Sequence, residues 1–220
     1  MPQATPIRNI IFDFGGVIID LDMQKTEDAF KNLGIQDFND HFNQLKQSAL
    51  FDNLDKGRIT EHEFREKLNH EWGTQFSDRQ IDDAWNAMLG EIPAAKLKLL
   101  QEIHHSFRTF LLSNTNIIHI KQITKYLAVT YGRPNLDDLF DKVYYSFVID
   151  ARKPDPAIFL KVINDNDLKP AETLFIDDSP QHIEGAKLVG LKAALYSPKE
   201  DLRSFLENCL GSSIGAQADS

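Results

Sequence analysis

Cysteine is almost absent: the 220 residues contain one, Cys209, so no intrachain disulfide can form. That excludes a disulfide-stapled secreted scaffold and is compatible with a reducing compartment. Cys209 lies in an apolar, helix-like stretch and reads as a small buried hydrophobe, not a reactive thiol. No apolar run approaches the roughly 18 residues needed to cross a bilayer. The opening Met-Pro-Gln-Ala-Thr-Pro has no basic region followed by an apolar stretch. No secretory leader is expected, and a cytoplasmic location is the default expectation. Glycine and proline, at 11 and 9 residues, are too few for a collagen-like or low-complexity chain. No internal repeat is visible. Positive charge is also scarce: 24 Lys and Arg face 33 Asp and Glu, a formal net charge of −9. Broad nucleic-acid binding needs a basic footprint to displace counterions and is not expected. A phosphate ligand is repelled at long range for the same reason. A site for one therefore needs local positive charge from a lysine or a metal ion.

What is present suits a folded protein: 42% hydrophobic and 26% charged residues can build a sizeable core. The length fits one substantial domain, or a core with a smaller insertion. Residues 7–12 are an apolar, β-branched run ending at Asp13, Gly15 and Gly16, a buried strand entering a tight turn. From about Met23 to Gly90 the apolar residues recur at helical spacing, with almost no strand signal. Phe30 with Leu33, Phe38, Phe42 with Leu45, and Phe64 with Leu68 belong to this pattern, and Ile81, Trp85 and Met88 continue it. The pattern predicts a four-helix unit whose own core holds Trp72, Trp85 and the phenylalanines.

Beyond Pro93 strands alternate with helices. Helices are predicted over 95–103, 117–127, 156–163, 182–188 and 202–210, and strands over 109–112, 143–147, 173–176 and 192–195. Such alternation predicts an α/β fold, a mainly parallel sheet with helices on both faces, joined by right-handed crossovers. Ligands in such folds bind at the carboxyl ends of strands. Asp13, Ser113 and the pair Asp177-Asp178 each end an apolar strand, so residues far apart in sequence converge on one rim. The expected organisation is a core of residues 1–19 and 91–210, an inserted all-helical cap of residues 20–90 over that rim, and a disordered tail of residues 211–220.

Four short motifs occur in order. They are Phe12-Asp13-Phe14-Gly15-Gly16-Val17, then Leu111-Leu112-Ser113-Asn114, then Arg152-Lys153-Pro154-Asp155-Pro156. The last is Phe175-Ile176-Asp177-Asp178-Ser179, followed by His182-Ile183-Glu184-Gly185-Ala186. Three carboxylates at strand ends repel one another unless a cation neutralises them, and magnesium favours one or two carboxylates plus waters and substrate oxygens. A carboxylate facing a phosphate can attack it to form an aspartyl-phosphate. A serine hydroxyl, backbone N–H groups and a lysine can hold the other phosphoryl oxygens. Taken singly, Ser113 and Asn114 could be helix N-caps before Ile117, and Lys153 a surface lysine in a turn-rich loop. Residues 52–63 superficially match a calcium loop, but Leu54 and Lys56 fill two ligand positions. A turn followed by a capping box from Thr60 to Glu63 fits better. His104-His105 lacks the spacing of a zinc site.

Together, with the helical insertion directly after the first, the four motifs resemble the haloacid dehalogenase superfamily. The likeness is to its helical-cap phosphatase branch, similar to glucose-1-phosphate phosphatases and the N-terminal phosphatase domains of epoxide hydrolases, and it covers nearly the whole chain. The resemblance implies a Rossmann-like core and a magnesium-dependent phosphatase of small phosphorylated metabolites. It implies Asp13 as covalent nucleophile, the Gly15 carbonyl as a magnesium ligand, and Ser113 with Asn114 at the phosphoryl group. It further implies Lys153 neutralising nucleophile and phosphate, Asp178 as direct metal ligand, and Asp177 as a direct or water-mediated one. One position departs from the pattern. The family phosphatases usually carry a second aspartate, an acid and base, two residues after the nucleophile, and here that position is Gly15. Such help is worth about 10²–10⁴-fold. Its loss disfavours a phosphomutase and favours leaving groups that depart without a proton. It also keeps open a catalytically weak binding or regulatory protein on the same fold. Asp20 or Asp22 could substitute, although a solvated or hinge-capping role suits them better. A haloacid dehalogenase is the third reading, opposed by the Asp177-Asp178 pair. The substrate and the oligomeric state are not legible.

Overall fold

The computed structural model describes residues 5–36, 38 and 48–214. Phe42, Leu45 and residues 215–220 of the expected tail lie outside them. Five parallel strands form one sheet in the order β3-β2-β1-β4-β5. They are β1 (Asn9–Phe12), β2 (Arg108–Ser113), β3 (Lys142–Tyr145), β4 (Thr173–Asp177) and β5 (Lys192–Leu195). The central strands read as unbroken apolar runs because both faces of the sheet are covered. Successive side chains point to opposite faces, and the two cores divide accordingly. Ile10, Phe12, Leu111 and Ile176 pack with helices α5 (Ala94–His104), α6 (Ile117–Tyr131) and α10 (Leu202–Leu210). Ile11, Phe110, Leu112 and Phe175 pack with α8 (Pro156–Asp165) and α9 (Pro180–Leu188).

Most expected elements appear within a few residues of their predicted bounds. The third strand stops at Tyr145, two residues short, and Phe147 falls in the short helix α7 (Ser146–Ile149). The buried Ser146 hydroxyl accepts from the Thr115 N–H and donates to the Thr115 carbonyl, both at 2.9 Å, so a side chain takes over where the ladder would continue. Cys209 is half-buried, not fully enclosed, and packs on the edge of the core.

The insertion contains α1 (Met23–Asn32), α2 (Ala49–Asp55), α3 (Glu61–Trp72) and α4 (Asp78–Asn86). It has its own apolar centre of Phe30, Phe38, Phe51, Phe64 and Trp85. Phe30 stacks on Phe38 with ring centroids 4.8 Å apart. The capping box is present: Thr60 Oγ1 accepts from the Glu63 N–H at 3.2 Å, and the Glu63 carboxylate accepts from the Thr60 N–H at 2.8 Å. The two chain crossings between sheet and insertion run side by side. The Asp20 N–H donates to the Glu91 carbonyl at 3.0 Å, and the Asp22 N–H donates to the Met88 carbonyl at 2.9 Å.

The insertion sits against the sheet's carboxyl edge through ion pairs of Arg152 with Asp52 (3.2 Å), Arg58 with Asp150 (2.6 Å) and Lys121 with Glu61 (2.6 Å). Gly57 lies close against the backbone of Phe147. Its φ of +67° is left-handed, and a Cβ there would overlap the Phe147 carbonyl. Among the described residues no helix is long and apolar enough to cross a membrane.

Candidate active site

The strand register builds the site. Phe12 is level with Ile176 across the β1–β4 pair, so the next residues, Asp13 and Asp177, emerge side by side. The Asp13 N–H donates to the Ile176 carbonyl at 2.8 Å. Asp13 Oδ1 accepts from the Phe14 N–H at 2.7 Å and lies 2.7 Å from Lys153 Nζ. The Lys153 ammonium is fully buried and also reaches Asp177 Oδ2 at 2.6 Å, so one cation bridges two carboxylates.

Asn114 positions that lysine. Its Nδ2 donates to the Lys153 carbonyl, and its Oδ1 accepts from the Lys153 N–H, both at 2.9 Å. Neither Ser113 nor Asn114 caps the following helix. Asn116 does so, its Oδ1 accepting from the His119 N–H at 3.1 Å. Asp155 caps α8 by accepting from the Ala157 N–H at 2.9 Å, with Pro156 at the first helical position.

Asp13, Gly15, Ser113, Asn114 and Asp178 line one cavity of about 140 Å³ between sheet edge and insertion. Asp177 and Lys153 lie behind it, both fully buried. Asp177 also accepts from the Ser179 N–H at 2.8 Å and pairs with His182 Nδ1 at 2.9 Å. Asp178 projects the other way, against Gly16. Gly16 has a φ of +74°, and a Cβ there would overlap the Asp178 carboxylate. At Gly15 a Cβ would run into the Leu21 side chain, so the space of the missing acid is used by Leu21. Asp20 pairs with Lys96 at 3.1 Å, and Asp22 caps α1 by accepting from the Gln24 N–H at 3.1 Å. Asp22 is thus a helix cap, and Asp20 is an exposed carboxylate in an ion pair.

The electrostatics separate the carboxylates. Burial and then the charge of Asp177 hold Asp13 well above the usual carboxylate range, against the pull of Lys153. Burial and Asp177 push Asp178 up to about 6. Burial also acts on Asp177, but Lys153 and His182 outweigh it and bring its pKa down to about 2. Burial opposes the Lys153 charge, which Asp13 and Asp177 more than restore. The cavity floor is thus short of positive charge in front of Lys153, and its donors are hard oxygens. That is the donor chemistry of a divalent cation such as magnesium, and Asp13, Asp178 and the Gly15 carbonyl could hold one. Asp13, Asp177 and His182 also bring ligand atoms within 4.8 Å of one another. There the His182 Nδ1 is already engaged by Asp177, which makes that trio the weaker candidate.

Sequence reasoning passed over Asp55, Asn116, His119 and Arg152, which also line the cavity. Asn116 carried a usable signal, an asparagine just before a helical run. Asp55, inside the helical block, carried none.

Residues 7–190 match the haloacid dehalogenase-like hydrolase family. The D-ribitol-5-phosphate phosphatase of Bacteroides thetaiotaomicron is 34% identical over 206 residues, covering 94% of this chain and all of that one. A haloacid dehalogenase-family enzyme from Bacteroides thetaiotaomicron, solved as an aspartate-to-alanine mutant with magnesium and inorganic phosphate, superimposes with a TM-score of 0.85. It is 37% identical, over 91% of this chain and 98% of that one. A haloacid dehalogenase-like hydrolase from Porphyromonas gingivalis also gives a TM-score of 0.85, at 36% identity over 93% of this chain and 98% of that one. With its motifs on one rim of a parallel sheet under a helical insertion, the chain belongs to the haloacid dehalogenase-like hydrolase family.

Proposed function

We propose that the protein is a magnesium-dependent phosphatase of small phosphorylated metabolites, polyol or sugar phosphates among them, acting through an aspartyl-phosphate on Asp13. The observation that carries this reading is the buried Lys153 bridging Asp13 and Asp177 beneath a cavity that Asp13 and Asp178 face. A relative named for a pentitol phosphate and a neighbour solved with magnesium and phosphate support it.

An Asp13 oxygen attacks phosphorus, the bond from phosphorus to the ester oxygen breaks, and the leaving oxygen takes its proton from water, since Gly15 supplies none. Water then attacks phosphorus, freeing inorganic phosphate and restoring the Asp13 carboxylate. Lys153 favours the ionised form of the nucleophile against burial and Asp177 and faces the phosphoryl charge, while Ser113 and nearby main-chain N–H groups hold its oxygens. Asn114 keeps Lys153 in place, and Asp177 keeps Lys153 charged. Magnesium, held by Asp13, Asp178 and the Gly15 carbonyl with Asp177 behind them, would neutralise the charge gathered by carboxylates and phosphate. The core comprises residues 1–19 and 91–210. Residues 20–90 form a cap that pivots on the paired crossing at Asp20 and Glu91 and shuts out water. The protein acts in the cytoplasm.

With Gly15 offering no proton, aryl, acyl and sugar 1-phosphates should turn over faster than alkyl phosphates. The test is phosphate release from a panel of sugar and polyol phosphates and p-nitrophenyl phosphate, with magnesium or chelator, beside Asp13→Asn. Release that needs both magnesium and Asp13 is the expected result. Folded protein that binds phosphate without turnover would instead support a binding or regulatory role, for which Gly15 is the motivating feature. Metal-independent chloride release from a haloacid would move the assignment to a dehalogenase.

A further inference from the structure

We propose that His119 is a specificity-determining residue whose Nε2 hydrogen-bonds a hydroxyl group on the leaving part of the substrate. Polyol and sugar phosphates are thereby preferred over esters that lack hydroxyls. This rests on the phosphatase reading and concerns the wall of the same cavity that meets the insertion.

His119 is the third residue of α6 and is 7% exposed, yet it lines the cavity that Asp13 faces. One face of its ring lies against Trp85 of the insertion, with centroids 4.9 Å apart and planes at 22°. Its Nδ1 lies 2.9 Å from Asn86 Oδ1, also in the insertion. The stack and this hydrogen bond together fix the orientation of the ring. Nε2 is left over: it makes no hydrogen bond among the described residues and opens on the cavity. A substrate that fills the cavity displaces solvent from this nitrogen. One that brings no polar group in exchange leaves it unsatisfied, which costs affinity.

Other polar groups beside it are already engaged. Asn116 donates through Nδ2 to Asp55 Oδ1 at 3.0 Å and accepts through Oδ1 from the His119 N–H at 3.1 Å. Arg152 pairs with Asp52 at 3.2 Å. Met23, Met88 and Leu89 add apolar surface, on which a carbon chain can pack without being oriented. Burial brings the His119 pKa down to about 3, so the ring is uncharged and offers a hydrogen bond, not an attraction for a second anion. With Asn86 Oδ1 accepting, Nδ1 carries the proton and Nε2 accepts. Turning the Asn86 amide over would reverse the tautomer and make Nε2 a donor. A hydroxyl satisfies either form because it both donates and accepts, and an alkyl chain satisfies neither.

The experiment compares kcat/KM for ribitol 5-phosphate and n-pentyl phosphate in the wild type and His119→Phe. The two esters share a five-carbon chain. Any difference between their leaving groups cancels when the ratio in the variant is divided by the ratio in the wild type. The wild type should prefer ribitol 5-phosphate by tenfold or more. His119→Phe keeps a flat ring against Trp85 without the nitrogens, and should lose about tenfold of that preference. A role limited to packing would slow both esters alike, so a ratio within twofold of the wild type overturns the assignment. Should His119→Phe fail to fold, nitrogen-15 NMR of the Asp13→Asn protein decides. Ribitol 5-phosphate should move the His119 Nε2 resonance and n-pentyl phosphate should not, and an equal response to the two, or none, overturns the inference. A wild type that hydrolyses p-nitrophenyl phosphate without preferring ribitol 5-phosphate overturns this inference and leaves the phosphatase reading intact. Silence toward every phosphate ester overturns the phosphatase reading, and this inference with it.

Discussion

Replacing Asp178 by asparagine should make the metal-free protein more stable, although it removes a proposed metal ligand. Burial and the adjacent Asp177 move the Asp178 carboxyl from 3.8 to about 6. A folded carboxyl that holds its proton more tightly than the unfolded one loses stability as pH rises through the interval between those values. Above that interval the loss is complete. At 1.36 kcal/mol per pKa unit the full effect is about 3 kcal/mol. Asp178 keeps contact with solvent, which screens its charge, so about 1–2 kcal/mol is the realistic magnitude. For a chain of 220 residues that corresponds to roughly 3–6 °C in Tm.

The assay is thermal unfolding of wild type and Asp178→Asn in chelator from pH 5 to pH 8, repeated with saturating magnesium. In chelator the variant should melt higher, with an advantage that grows up to about pH 6 and then levels off. In magnesium the order should reverse, because a ligand at a hundredfold over its Kd stabilises by about 2.7 kcal/mol and the variant binds it poorly. A variant that melts at or below wild type in chelator, or that gains as much from magnesium, would refute the reasoning.

Lys153→Met strands two buried carboxylates without their shared cation. It should cost about 3–5 kcal/mol in urea unfolding and abolish turnover. Gly16→Ala forces a Cβ onto the Asp178 carboxylate in left-handed backbone. Titration calorimetry should show magnesium affinity reduced tenfold or more, while phosphate release at limiting magnesium falls in step. Asp13→Asn should lower kcat by at least about 10³-fold with the fold intact, as loss of a nucleophile does elsewhere. Thr60→Ala removes the capping box of α3. It should cost about 1 kcal/mol in chemical denaturation and leave kcat/KM within twofold of wild type, which separates damage to the cap helix from damage to the site.

Local signals account for the parts of this protein that were readable in advance. Strands β1, β4 and β5 and helices α8 and α10 are apolar runs of one period bounded by Asp, Gly or Pro, so their limits fell within a few residues. The third strand was overrun because nothing in residues 143–147 announces that the Ser146 hydroxyl will bond Thr115, a partner 31 residues away. Asn114 was read as a phosphate ligand by its place beside Ser113. Its hydrogen bonds to Lys153 join a strand end to a loop 39 residues later, which no spacing rule anticipates.

The sequence by itself determined a parallel α/β sheet, a helical insertion after the first strand, and a set of acidic and basic residues at strand ends. Hydrophobic period and strand termination are written within a few residues of each position. Tertiary structure alone decided how those residues divide their work. Asp177 and Asp178 are neighbours in the chain, yet one faces Lys153 in the interior and the other faces the cavity, because successive side chains leaving a strand point to opposite sides. Asp55 meets Asn116 across 61 residues, because packing the insertion on the sheet edge brings the end of α2 to the start of α6. Such contacts depend on register and on the docking of whole elements, and neither is encoded at any single position.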